Sequence, residues 1–184
     1  MKKTLLIILA TVVFAGVLTW GYYNKFVSAS EGVDSLWAQV ETQYQRRFDL
    51  IPNLVSSVKG IFEQEKEVFG KLADARTKYG AAGNVPEKVA AANEVEGALA
   101  RLLVVLENYP QLRSSEAVTS LMVQLEGTEN RISVERKRFN DGVRDYNLTV
   151  KTFPGKFFAA IFGFGEKEYI ESVEGSEVAP KVEF

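Results

Sequence analysis

The 184-residue chain contains no cysteine and no histidine, and the two absences exclude whole classes of chemistry. Without Cys there is no disulfide, no thiolate nucleophile, no lipoprotein anchor and no Cys-containing zinc site. Without His, Ser–His catalysis, haem ligation by imidazole and acid–base work near neutral pH are removed as well. An excess of either charge is also missing. The 22 basic and 24 acidic residues leave a formal charge of −2, which gives neither a basic footprint for nucleic acid nor an acidic tail, so no nucleic-acid partner is expected. Proline is scarce, with five in the chain, and glycine gathers near the ends and in one loop, a distribution that suits long helices.

What the chain does have begins at its N-terminus. Behind Lys2 and Lys3, the stretch from Thr4 to Trp20 carries no charge and is mostly aliphatic. At ~1.5 Å per residue, Thr4 to Tyr23 covers about 30 Å, the thickness of a bilayer's hydrocarbon core. Trp20, Tyr22 and Tyr23 fall where an interfacial aromatic belt would sit. The lipid bilayer is therefore expected as a partner of residues 4–23. Lys2 and Lys3 against a lone Lys25 place the N-terminus in the cytoplasm and the body on the periplasmic or extracellular side of the inner membrane, by the positive-inside rule. A cleavable signal peptide is the competing reading, because Val27-Ser28-Ala29 offers small residues before Ser30. The apolar run is long for a signal peptide and the candidate site lies far beyond Trp20, so the retained anchor is favoured.

About 155 residues remain after the anchor, enough for one domain with its own core. Apolar positions recur at Val33, Trp37, Val40, Tyr44, Phe48, Ile51, Val55, Val58, Phe62, Phe69, Leu72 and Tyr79. This spacing of three and four predicts one long amphipathic helix over about 31–79. Pro52 either kinks it or reverses the chain into a bundle of four shorter segments. The kink is favoured, because Asp49 to Asn53 holds no Gly and the stripe keeps its phase across Pro52. Gly80 to Asn84 is a hinge, Pro86 opens a second helix running to about 108, and Tyr109-Pro110 ends it. Ser114 or Ser115, with Glu116 in the first turn, starts a third helix to about 151, which Phe153-Pro154-Gly155 stops. The expected fold class is all-α: a transmembrane anchor over 1–26, then a long-helix antiparallel bundle over 27–165, then a loosely ordered tail over 166–184. Five of the twelve Phe lie between 153 and 164. That segment is expected to close the bundle, with a membrane-dipping helix as the alternative.

Particular segments resemble the signatures of the bacterial LemA family. They are Arg46-Arg47-Phe48-Asp49-Leu50-Ile51-Pro52-Asn53-Leu54-Val55, Glu107-Asn108-Tyr109-Pro110-Gln111-Leu112, Thr128-Glu129-Asn130-Arg131-Ile132, Phe139-Asn140, Tyr146-Asn147 and Phe153-Pro154. They follow one another in the family's order from about residue 22 to 165. The resemblance implies a membrane-anchored, all-helical protein of the cell envelope without an assigned enzymatic activity.

Arg47, Glu129 and Arg136 fall on or beside the apolar stripes of their helices. They either form an interhelical ion-pair layer, as buried charges require, or snorkel from the edge of a wide stripe. Asn140 and Asn147, each following an aromatic residue and seven positions apart, are polar register devices of a helical seam or solvated flank residues. The carboxylates Glu63, Glu65, Glu67, Glu94, Glu96 and Glu107 could in principle hold a di-metal site, but such sites use Glu-x-x-His and the chain has no His. No catalytic residue, metal or cofactor is expected. The first helix, about 70 Å long, should outrun its neighbours and leave part of its stripe open. Trp37, Val40 and Tyr44 are thus expected to form the surface of a parallel homo-oligomer, since anchoring concentrates copies in two dimensions. The function expected is a non-enzymatic, self-associating scaffold of the envelope. The alternative is an accessory or sensory subunit of an envelope protease, transporter or receptor.

Overall fold

The computed structural model describes residues 2–61 and 63–170, all helix, turn and irregular segment with no strand among them. Phe62 of the predicted stripe and positions 171–184 of the predicted tail lie outside this range. Helix α1 spans Lys2–Ser57, a 3-10 turn follows at Lys59–Ile61, and α2 spans Lys66–Ala81. Helix α3 spans Val85–Leu106, α4 Pro110–Arg113, α5 Glu116–Lys151 and α6 Gly155–Phe162. The described chain divides into two compact units, residues 2–40 with 135–169, and residues 41–134 with Ile170.

The second unit is an up-down-up-down bundle. Residues 41–57 of α1 present Tyr44, Phe48, Ile51 and Leu54, all buried. Tyr79 at the end of α2 returns to them, its ring edge-on to Phe48 at 4.5 Å and to Tyr44 at 5.8 Å. The chain therefore reverses between Ser57 and Lys66, and the expected helix over 31–79 is corrected: α1 continues through Pro52 and ends at Ser57. Two serines and Gly60 weaken the helix there, and Val58 and Ile61 bury their side chains as the chain turns. The turn consumes a whole number of stripe periods, so the apolar spacing stays in phase although the helix does not continue. Helix α3 is capped by Asn84, whose side chain accepts from the Glu87 backbone N–H at 2.9 Å, while the Glu87 carboxylate accepts from the Gly83 N–H at 2.9 Å. Val89, Val95, Leu99, Leu102 and Leu106 of α3 meet Val118, Leu121, Leu125 and Ile132 of α5 in the same core. Ser115, the predicted cap, accepts from the Val118 N–H at 3.3 Å.

In the first unit, α1 and the C-terminal half of α5 pack antiparallel. Trp37 lies edge-on to Phe139 at 5.7 Å. A Cβ at Gly142 would meet Leu36 and Val33, and one at Gly155 would meet Phe26. The predicted stripe is thus covered within the chain itself, with Val33 at 2% and Val40 at 0% exposure. The apolar window of α1 near the N-terminus is the opposite case, long enough to cross a membrane and with none of it buried. The expected loose tail is corrected at its start. Lys167 is held by Asn147, and Glu166 pairs with Lys151 at 2.6 Å.

Candidate functional site

The polar cluster of the second unit is built on Arg47, which the 3.6-residue repeat of α1 places beside Tyr44 and Phe48 and so inside the bundle. Its side chain is 7% exposed. The guanidinium pairs with Glu129 of α5 and lies 3.8 Å from Glu96 of α3. Both carboxylates reach solvent at one end, so a desolvated cation is neutralised by two partly hydrated anions and ties three helices together. Glu96 was weighed from sequence only as a metal ligand. Its position beside the Val95–Leu99–Leu102 stripe was the signal for this role. Arg136 is half-buried and belongs to the first unit; within the second unit Arg47, Glu129 and Glu96 come together. Among the described residues no group of three carboxylates gathers as a metal ion would require.

This cluster borders a cleft of about 640 Å³ between α3 and α5. Leu99, Ala100, Leu103, Met122, Val123 and Leu125 give it apolar walls, and Arg113, Glu126 and Thr119 add polar groups to its lining. Val123 is 65% exposed at this lining. The lining offers an apolar slot beside a neutralised ion pair, a chemistry suited to receiving apolar side chains. Tyr79 lies in the same unit, its hydroxyl pushed well above the usual phenol range by burial and then by the nearby Glu41 carboxylate. Lys88 pairs with Glu41.

The first unit carries a second cluster, aromatic rather than ionic. Phe158 of α6 stacks on Tyr22 at 4.7 Å. Phe162 meets Tyr23 edge-on at 5.2 Å, and Phe164 lies 5.2 Å from the fully buried Phe26. Asn147, 3% exposed, holds the segment behind α6 like a staple: its amide donates to the Lys167 carbonyl and its oxygen accepts from the Lys167 N–H, both at 2.9 Å. Its role is to pin the chain after α6 rather than to set a helical seam. Tyr146 donates to the Gly165 carbonyl at 2.9 Å, its phenol raised by burial and then by Asp34. Asn140 is half-buried on α5. Phe26 and Lys167, both central here, fall outside the repeats from which the stripes were read.

The predicted association surface is corrected. Val40 and Tyr44 are 0% and 1% exposed and Trp37 packs on Phe139, so the face that was to meet another copy is occupied by the chain's own helices.

Comparison with known proteins adds to this geometry. The model of the LemA family matches residues 36–184. Two magnetosome proteins of Paramagnetospirillum magneticum, MamQ 1 and MamQ 2, are each 27% identical to the chain over 190 aligned residues, covering 89% of it and 70% of the relative. Magnetosome protein MamQ of Magnetospirillum gryphiswaldense is 27% identical over 173 residues, covering 80% of the chain and 64% of the relative.

Proposed function

The chain belongs to the LemA family, and from that premise we propose that it is a non-enzymatic, membrane-anchored helical scaffold that holds a protein partner at the surface of the bacterial envelope through the cleft of its second unit. The observation that carries this reading is the cleft itself, apolar on both helical walls, open, and bordered by an Arg47–Glu129 pair whose charges are already satisfied. Such a site gains by burying apolar side chains of another protein and offers no group with a neutral-range pKa to a reaction. The anchor is supported from inside the fold. Cleavage before Ser30 would strip Tyr22, Tyr23 and Phe26 from the rings of Phe158, Phe162 and Phe164. Relatives named for the magnetosome agree with a role at a membrane. Self-association remains part of the proposal only through this cleft, since Val40 and Tyr44 are buried.

Affinity capture of the full chain from detergent-solubilised membranes, beside a Leu103→Glu, Val123→Glu double variant of unchanged helicity, tests this. A second protein in stoichiometric amount, lost from the variant, makes the chain an accessory subunit. Recovery of the chain's own copies alone, again lost from the variant, makes it a self-associating scaffold. A wild-type particle that is monomeric and alone refutes both.

A further inference from the structure

The short helix α6 is apolar around its whole circumference, with Lys156 its only charge. Ala159 is buried, and Phe158 and Phe162 turn inward onto α1. The other side is bare: Phe157 and Ile161, spaced four apart and hence on one face, are 62% and 59% exposed, and Phe153 in the turn before the helix is 89% exposed. A helix apolar on both faces is stable where both faces are out of water. The ring contacts say where α6 sits. They fall on Tyr22, Tyr23 and Phe26 of α1, immediately after the uncharged run that ends at Trp20 and around Lys25, the first charge beyond it. This is the level of the aromatic belt, where hydrocarbon gives way to headgroups. Phe158 and Phe162, about 6 Å apart along α6, meet Tyr22 and Tyr23, neighbours about 1.5 Å apart in rise along α1, so α6 lies across α1 rather than along it.

We propose that α6 is a membrane-interface helix: its outer face, Phe157 and Ile161, enters the headgroup and upper acyl region of the leaflet from which α1 emerges, together with Phe153 of the preceding turn and with Lys156 reaching the lipid phosphates. The occupant is lipid because α6 packs on Tyr22 and Tyr23, directly after the exposed apolar run of α1, at a depth where lipid is already present. Lys156 and Lys25 supply the positive charge that an anionic headgroup layer attracts. The consequence is mechanical. The first unit is fixed to the bilayer at two points, α1 and α6, and the Asn147–Lys167 staple holds the segment that follows α6.

The inference rests on α1 spanning the bilayer, and the test separates the two claims. The chain has no native Cys, so single spin labels can be placed by Phe157→Cys, Ile161→Cys, Val12→Cys and Lys71→Cys in the full chain. The protein is reconstituted into vesicles of phosphatidylethanolamine and phosphatidylglycerol, and each label is scored for collision with oxygen against a water-soluble nickel chelate. Labels at 157 and 161 should favour oxygen, as the label at 12 does, while 71 favours nickel. Nickel-accessible 157 and 161 beside an oxygen-accessible 12 would overturn the interface helix and leave the anchor standing. A nickel-accessible 12 would overturn both. In nanodiscs holding one chain each, the shielding at 157 should persist. Its loss there would assign the face to a second copy and overturn the lipid contact.

Discussion

Arg47 is where a single side chain has the largest consequence, because a guanidinium at 7% exposure is tolerable only while its carboxylates remain. Glu129→Gln removes the paired carboxylate, with the Glu96 carboxylate still 3.8 Å away. Since Glu129 is itself 41% exposed, the expected loss is about 1–3 kcal/mol in chemical denaturation, below the range for a fully buried pair. Replacing both partners, Arg47→Met with Glu129→Met, should stay closer to the parent than Glu129→Gln alone. A double variant worse than the single one would mean that the pair stabilises in its own right. Gly155 is the other decisive residue. A Cβ there would collide with the Thr149 carbonyl oxygen, a backbone atom that cannot swing away. Gly155→Ala should therefore displace α6 and cost about 1–3 kcal/mol, the usual range for overpacking. A melting temperature equal to the parent's would show that the turn has room to relax.

Helix α3 meets α5 through leucines, and α3 begins at a reciprocal cap, so the two features can be probed separately. Leu99→Ala and Leu125→Ala each open a cavity beside the cleft and should cost about 2–5 kcal/mol, whereas exposed Lys137→Ala should be near neutral. Equal effects in denaturation would contradict the core assignment. At the cap, the Gly83 N–H and then the Asn84 side chain hold the Glu87 carboxyl below its ordinary value of 4.5. A carboxyl with a depressed folded pKa contributes stability that is fully present above the unfolded value and is lost as pH falls through the folded one. Acidification from pH 6 to below about 4.5 should thus weaken the start of α3, and Glu87→Gln should flatten that part of the pH–melting curve. An unchanged slope in the variant would remove the cap from the acid response.

For the whole molecule, the proposed anchor sets how the protein is to be handled and on which side of the membrane its body is expected. The mature chain should keep Met1, extract only with detergent and show the intact mass of 20.5 kDa. A species starting at Ser30 would mean the apolar run is a leader. Single cysteines introduced by Lys2→Cys and Ser120→Cys should differ toward a membrane-impermeant reagent, with 120 reactive from outside the cell. The reverse pattern would invert the topology inferred from Lys2, Lys3 and Lys25.

Periodicity and one apolar run by themselves determined the class of fold, a helix long and apolar enough to cross a membrane, and core positions of the first stripe: Val33, Val40, Tyr44, Phe48 and Ile51 are all buried where the stripe predicted. A repeat of three and four reports which face of a helix leaves water, and that needs no knowledge of the partner. What covers each face is a long-range matter. The reversal after Ser57 kept the stripe in phase, so the sequence read as one rod over 31–79, and Tyr44 became an association surface instead of the neighbour of Tyr79. Glu96 could be recognised as a partner of Arg47 only once α3 had been folded back beside α1 and α5. Asn147 lies twenty residues from the Lys167 backbone that it clamps. Tyr22 and Phe158 stack across more than a hundred positions of chain. Contacts of such separation are decided by packing, where loop closure brings together faces whose local patterns are silent about one another.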